Sequence, residues 1–194
     1  MNDDRDKIRM RRSRVIQAML LSLNQGQSKG FTLLEAITAV VLIGILAAIA
    51  APSWQALIDA QRLNAARNQA VTALNDAKTR AKRQHVTYEV GFRQQEQQAQ
   101  WAVYPVGADP SKQNWQNLQN GVKLLDRPDT TMAKKDEIYR IQFNHQGETN
   151  AQLGKVTFAV MSGSSIKRCA IVSNLLGTIR EGENKPNRRD NPCE

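Results

Sequence analysis

The chain has 194 residues, of which 41% are hydrophobic and 23% are charged, and its formal net charge is +9. Seven of the 27 basic residues and three of the 18 acidic residues lie in the first 30 positions, so residues 31–194 carry a net charge of +5. This mild excess is compatible with contact to nucleic acid or anionic surfaces but does not by itself indicate such a partner. The length allows one soluble domain with a single core after the apolar segment.

A long apolar segment near the N-terminus is the first predicted element. Residues 31–51 contain one charged side chain, Glu35, and 21 helical residues span about 31 Å, close to the hydrocarbon thickness of a bilayer. Because a basic flank stays in the cytoplasm, the sequence predicts a single transmembrane helix at 31–51, with the following domain outside the cytoplasm. Residues 1–30 are interpreted as a cytoplasmic leader and excluded from the fold.

Glu35 distinguishes this segment from an ordinary membrane anchor. A carboxylate inside a bilayer is costly and is normally tolerated where it has a partner or a function. If the chain is cut after Gly30, Phe31 gains a free amine, and Glu35 of a neighbouring subunit can accept that charge. Two simpler alternatives stay open: a plain signal anchor whose Glu35 reaches the interface, and a single-pass membrane protein in which the pattern is coincidental.

The segment Gly30-Phe31-Thr32-Leu33-Leu34-Glu35, with the apolar run that follows it to Pro52, resembles the N-terminus of type IV pilins and pseudopilins. The resemblance implies cleavage between Gly30 and Phe31 by a prepilin peptidase and N-methylation of Phe31. It also implies that Glu35 neutralises the N-terminus of an adjacent subunit in a filament, and that Pro52 kinks the helix as it leaves the membrane.

After Pro52 the sequence predicts that the helix continues over residues 52–84. Small and apolar residues recur there at steps of three and four and form one narrow stripe: Leu63, Ala66, Ala70, Leu74, Ala77 and Ala81. Basic residues flank the stripe on both edges: Arg67, Lys78 and Lys82 on one, Arg62 and Arg80 on the other. Charges on both edges are typical of the solvated rims of a packing surface rather than of a docking face for nucleic acid.

From His85 the period changes to that of strands, and residues 85–194 are predicted to form a β-sheet domain with a basic tail. A polar loop is predicted at residues 93–99, a turn-rich loop at 107–120, and a turn at 144–147. The predicted strands are 86–92, 100–105, 122–125, 138–144, 155–160 and 169–173, with a short last one at 178–180. The fold class is therefore α+β, with one long N-terminal helix packed on an antiparallel sheet, which is also the pilin fold that the N-terminus implies.

The C-terminal part narrows the resemblance. The stretches Phe143–Gly147, Cys169–Ser173 and Gly177–Arg180 are similar to the GspH/FimT group of minor pilins and pseudopilins. DNA-binding members of that group carry a Gly-Arg-x-Arg tail motif. Here Gly177 and Arg180 match, and Thr178 stands in place of the first arginine.

The tail is also interpreted from its residues alone. Lys185, Arg188 and Arg189 join Arg180 in a segment that can hold phosphates by charge, with affinity that depends on salt. Acidic residues in the same segment offset much of this charge, and the segment has no aromatic residue on which a base could stack. A solvated terminal loop and a DNA contact therefore remain alternatives.

Cys169 and Cys193 are the two cysteines of the chain. Both fall in the part predicted to lie outside the cytoplasm, where an even pair indicates a disulfide; two free thiols is the alternative. His85 and His145 show no ligand spacing, so no metal site is predicted. The sequence shows no catalytic constellation and no cofactor motif, so an enzyme is not predicted.

These observations predict a minor pilin or pseudopilin, a structural subunit of a type IV pilus or type II secretion pseudopilus that helps to initiate or cap filament assembly. Its expected partners are the prepilin peptidase, other major and minor pilins or pseudopilins, and the inner-membrane assembly platform. Its expected place is the inner membrane, with the C-terminal domain in the periplasm, and then the filament. The alternative is a minor pilin that binds double-stranded DNA for uptake in natural transformation.

Overall fold

The computed structural model describes residues 30–184 and 193, with the backbone alone at positions 50–52. The chain divides into two compact units, Met1–Ile49 and Ala50–Glu194. One helix, α1 (Leu33–Gln84), begins in the first unit and ends in the second. In the first unit, the other described residues are 30–32. The predicted long N-terminal helix is confirmed.

Local contacts account for the two ends of α1. At its start, the Glu35 backbone N–H donates a hydrogen bond to Thr32 Oγ1 at 3.2 Å, so Thr32 caps the first turn. At its end, Lys82 and Arg83 lie in the last turn, where positive charge interacts favourably with the helix dipole. His85 follows with a φ of 55°, a left-handed conformation common just after a helix.

In the described residues nine strands follow α1: β1 (Tyr88–Gln95), β2 (Gln98–Pro105), β3 (Gln116–Asn117), β4 (Val122–Leu124), β5 (Ala133–Lys135), β6 (Ile138–Phe143), β7 (Gly154–Val160), β8 (Lys167–Val172) and β9 (Ile179–Glu183). They form two sheets, β3-β2-β1-β6-β5 and β4-β7-β8-β9, and every pairing is antiparallel. The predicted α+β class is confirmed, but the prediction of one antiparallel sheet was wrong, because the strands form two.

The chain passes between the two sheets three times, because β4 belongs to the four-stranded sheet although it precedes β5 and β6 of the five-stranded one. The predicted turn at residues 144–147 is present, with the Gly147 N–H donating to Asn144 O at 2.8 Å. It does not pair β6 with β7, because β6 lies in the five-stranded sheet and β7 in the four-stranded one.

The second half of α1 packs its predicted stripe into the core. All six stripe residues are fully buried, and Ala73 joins them. The core residues from the strands include Val90, Phe92 and Phe143 from one sheet and Val156 and Phe158 from the other. Small side chains on the helix allow both sheets to approach it closely.

Several connections differ from the predicted ones. The polar loop predicted at residues 93–99 is a tight turn at Glu96 and Gln97, because β1 and β2 pair as far as Gln95 and Gln98. Glu96 has a φ of 53°, which this turn requires. The segment 93–99 contains no glycine or asparagine that would have indicated a positive φ. The predicted loop at 107–120 contains a short 3₁₀ helix, Pro110–Lys112, and β3. Strand β5 was not predicted.

The charged residues along the edges of the stripe form specific contacts. Arg67 pairs with Glu181 of β9 at 2.8 Å, and Arg80 pairs with Asp76 at 2.9 Å. The Lys78 ammonium donates to Gly177 O at 2.9 Å. These contacts agree with the interpretation of the charges as rims of a packing surface.

Asp126, in the connection between β4 and β5, makes a polar contact with the edge of the five-stranded sheet. Its carboxylate accepts hydrogen bonds from the Tyr139 hydroxyl at 2.7 Å and from the Lys134 ammonium at 3.0 Å. Both bonds favour the ionised form and therefore lower the pKa of Asp126 below its ordinary value; the bond from Tyr139 has the larger effect.

Candidate functional site

The predicted processing position is accessible. Gly30 and Phe31 lie before the first turn of α1, and Phe31 is 73% exposed. No atom lies within 4 Å of the position that a Cβ on Gly30 would occupy. Both residues of the predicted cleavage bond are therefore exposed within the described part of the chain.

Glu35 occupies the third position of α1. Thr32 and Glu35 have the spacing of a capping box, and the Thr32 half of that box is formed by the bond to the Glu35 N–H. The Glu35 side chain is exposed, at the helix end where the dipole is positive. The carboxylate therefore faces outward, available to a group from another molecule.

The apolar part of α1 has no cover. Its large apolar side chains are at least half exposed from Leu33 to Ile49, including Val40 at 70% and Ile43 at 66%. In the described residues this is the one helix long and apolar enough to cross a membrane, and none of its most apolar window is buried. Such a surface requires a bilayer or neighbouring apolar helices.

Gly177, one of the candidate DNA-binding residues, has a packing role. It is buried, its φ is 69°, and a Cβ there would lie 2.6 Å from Gly147 O and 3.1 Å from Phe143 Cε1. Only glycine fits at this position, and the residue does not face solvent.

Arg180 lies on the outer face of the four-stranded sheet and is exposed. Ile171 of β8 pairs with Arg180 on one side and with Lys155 on the other, so the two basic residues share a face. Sequence analysis missed Lys155, whose position depends on strand register. Lys185, Arg188 and Arg189, the other candidate DNA contacts, lie outside the described residues.

The two cysteines are joined on the same sheet. Cys169 of β8 and Cys193 form a disulfide with a Cα–Cα distance of 6.1 Å. The Lys155 ammonium donates a hydrogen bond to Cys193 O at 2.9 Å. The chain after β9 therefore returns to the face that carries Lys155 and Arg180.

The two histidines, far apart in sequence, lie near each other. The His85 and His145 ring centroids are 6.4 Å apart. In the described part of the chain no group of three or more His, Cys, Asp or Glu residues is arranged to hold a metal ion.

A cavity on the five-stranded sheet was not predicted. It has a volume of about 590 Å³ and lies on the face directed away from α1, under the loop that follows β2. Its polar lining residues include Glu89, Tyr104, Asp136, Arg140 and Gln152. The sequence carried a weak signal of it, because Glu89 in β1, and Arg140 and Gln142 in β6, lie between apolar residues.

The chain matches a known family in its N-terminal part. The family model for the prokaryotic N-terminal methylation motif matches residues 26–51. No curated protein and no solved structure matches the chain. The motif implies processing by a prepilin peptidase and assembly with other pilins, and it points to a structural subunit rather than an enzyme. The motif, the exposed apolar helix and the antiparallel sheets behind it support a membrane-anchored, type IV pilin-like protein.

Proposed function

We propose that this chain is a minor pilin or pseudopilin of the GspH/FimT type, a structural subunit of a type IV pilus or a type II secretion pseudopilus that helps to initiate or cap the filament. The observation that carries the proposal is the junction at residues 30–35. There an accessible Gly30–Phe31 bond, an outward-facing Glu35 and an uncovered apolar helix follow one another.

The proposed sequence of events starts with insertion of the precursor, with residues 1–30 in the cytoplasm and the C-terminal domain in the periplasm. Hydrolysis of the Gly30–Phe31 bond releases the leader and leaves a positively charged amine on Phe31, which is then methylated. In the membrane an unpaired Glu35 carboxylate is costly. In the filament, Glu35 of one subunit pairs with the Phe31 amine of its neighbour, so assembly removes that cost from both groups.

The experiment is to express the full chain in a bacterial host that contains a prepilin peptidase and a filament system. Intact-mass analysis should show a chain that begins at Phe31 and carries one added methyl group. Recovery in sheared filaments or in cross-linked pilin complexes then measures assembly.

Glu35→Gln is the informative variant, with Glu96→Gln as the matched control. Both changes remove one exposed carboxylate, and Glu96 lies in the turn between β1 and β2. Glu35→Gln should be cleaved normally but enter filaments at least about tenfold less, since the buried amine loses its partner. Glu96→Gln should assemble normally. An uncleaved chain, or equal assembly of the two variants, would contradict the proposal.

The alternative, a DNA receptor for uptake, is favoured by one observation. Arg180 and Lys155 share a face of the four-stranded sheet, and Lys155 contacts Cys193, which follows Lys185, Arg188 and Arg189 in the sequence. The full chain in detergent should then retard double-stranded DNA in a gel, with an affinity that falls steeply with salt.

Charge reversal of Arg180, Arg188 and Arg189 tests this alternative. Loss of the gel shift and of transformation with normal piliation would support a receptor. No shift at low salt would exclude DNA binding and leave the assembly role unaffected. Lys112→Glu serves as the control, because Lys112 is 81% exposed in the loop after β2.

A further inference from the structure

The cavity on the five-stranded sheet collects buried polar groups without partners. In the described residues, four buried side-chain atoms have no hydrogen-bond partner: Tyr104 OH, Arg140 Nε, Arg140 Nη2 and Gln152 Oε1. All three residues line this cavity. Because buried polar atoms in folded proteins are normally satisfied, their concentration in one place indicates a site for a polar ligand.

Arg140 presents a defined binding edge. Its Nη1 pairs with Glu89 Oε1 at 3.3 Å, and Gln142 Nε2 donates to the other Glu89 oxygen at 2.8 Å. The opposite edge of the guanidinium, Nε and Nη2, is the edge without hydrogen-bond partners. These two N–H groups are parallel and match the two oxygens of a carboxylate.

Gly91 leaves room for a third donor in the same cavity. It pairs with Arg140 across the β1–β6 ladder, and the Tyr104 hydroxyl lies 2.9 Å from the position of a Cβ on Gly91. Because Gly91 has no side chain, the Tyr104 hydroxyl can lie over the strand position that pairs with Arg140. Tyr104 is only 2% exposed. Burial, and next the Glu89 carboxylate, raise the pKa of the Tyr104 phenol, so the hydroxyl remains a donor at neutral pH.

Asp136 is the nearest competitor for this edge. Its carboxylate lies 3.6 Å from Arg140 Nη2, too far for a hydrogen bond, and its side chain is 74% exposed. A ligand that makes two good hydrogen bonds can displace so loose an ion pair. The other acidic groups are engaged: Glu89 as described, and Asp109 with the Ser111 N–H and hydroxyl at 2.9 and 2.7 Å.

We propose that this cavity binds a carboxylate group, held by the Nε–Nη2 edge of Arg140 and by the Tyr104 hydroxyl. The carboxylate belongs either to a small organic acid or to a polypeptide, as a side chain or a C-terminus. The cavity volume of about 590 Å³ lies in the range of small-molecule sites. All the residues that line the cavity lie between Glu89 and Gln152, and none belongs to α1.

The test uses the full chain in detergent micelles at neutral pH and ligand-observed NMR titration. N-acetylglycine is the probe, and N-acetylglycinamide is its neutral counterpart of the same shape. Saturable binding of the acid alone is the expected result. No binding, or equal binding of acid and amide, would overturn the proposal.

Three variants localise the site. Tyr104→Phe and Arg140→Lys should each weaken N-acetylglycine about tenfold or more, since each removes hydrogen bonds to a charged group. Asp136→Asn should bind more tightly, because it removes the competing carboxylate, and a misfolded variant cannot give that result. Arg168→Lys is the control: Arg168 is 16% exposed against 15% for Arg140, but lies in the other sheet. Equal affinities for Arg140→Lys and the parent chain would refute the assignment.

Two peptides distinguish the sources of the carboxylate. Acetyl-Ala-Glu-Ala-amide carries one side-chain carboxylate, and acetyl-Ala-Ala-Ala carries one C-terminal carboxylate. Tighter binding of either peptide than of N-acetylglycine supports a polypeptide as the natural ligand. Binding of N-acetylglycine but of neither peptide supports a small organic acid.

Discussion

Gly177→Ala tests whether Gly177 serves packing or DNA binding. The residue has a φ of 69°, and the new methyl group would lie 2.6 Å from Gly147 O and 3.1 Å from Phe143 Cε1. The contact to Gly147 is with backbone, which cannot move aside as a flexible side chain can. The turn at 144–147 or the start of β9 would therefore have to shift.

Two separate costs add up in this variant. Placing alanine in the left-handed region costs about 1 kcal/mol. Forcing extra volume into a packed site costs a further 1–3 kcal/mol or so. The free energy of unfolding should therefore fall by roughly 2–4 kcal/mol, which for a chain of this size lowers the Tm by roughly 4–16 °C.

Gly163→Ala is the matched control, because Gly163 has a φ of 84° and nothing within 4 Å of its Cβ position. It should lose only the conformational part, about 1 kcal/mol. Thermal unfolding of the full chain, followed by circular dichroism, measures both variants. Equal losses of stability at the two positions would refute the packing argument. A Gly177→Ala chain of parental stability that no longer binds DNA would instead assign Gly177 to a DNA site.

Three further predictions concern the stability of the β-sheet domain. Replacing Cys169 and Cys193 together by serine opens the loop of sequence separation 24 and should lower the free energy of unfolding by about 3 kcal/mol in denaturant titration; reductant should then have no added effect. Asp126→Asn should destabilise the chain at pH 7. Because the folded pKa of Asp126 lies below its ordinary value of 3.8, the contribution is present above about pH 4 and is lost as the pH falls through the folded pKa. Denaturant titrations at several pH values should therefore show that the variant and the parent differ less in free energy of unfolding as the pH falls, and a constant difference would contradict this. Leu74→Ala removes a fully buried side chain and should cost about 2–5 kcal/mol in urea titration, whereas Leu57→Ala, half exposed, should cost much less.

The N-terminal features were predictable because they are local. The pairing of Thr32 with Glu35, the apolar run and the stripe from Leu63 to Ala81 depend on residues three or four apart, which the geometry of a helix brings together whatever surrounds it. The alternation that predicted most strands is likewise a property of short segments.

The β-sheet arrangement was only partly predictable, because pairing depends on residues distant in sequence. Nothing near residues 144–147 indicates that β6 and β7 belong to different sheets. The tight turn at Glu96 lacks the glycine or asparagine that usually accompanies a positive φ, so its polar neighbours suggested a longer loop.

The sequence by itself therefore determined three features: an apolar helix with one acid at its start, the N-terminal methylation motif that contains this acid, and the α+β class of the domain that follows. Only the tertiary structure determined which side chains the sheets bring together. Gly91, Tyr104 and Arg140 come from three strands, and only the register of those strands brings the Nε–Nη2 edge of Arg140 and the Tyr104 hydroxyl, both without hydrogen-bond partners, to one cavity. The same is true of Gly177, whose need for glycine arises from a backbone oxygen 30 residues earlier in the chain.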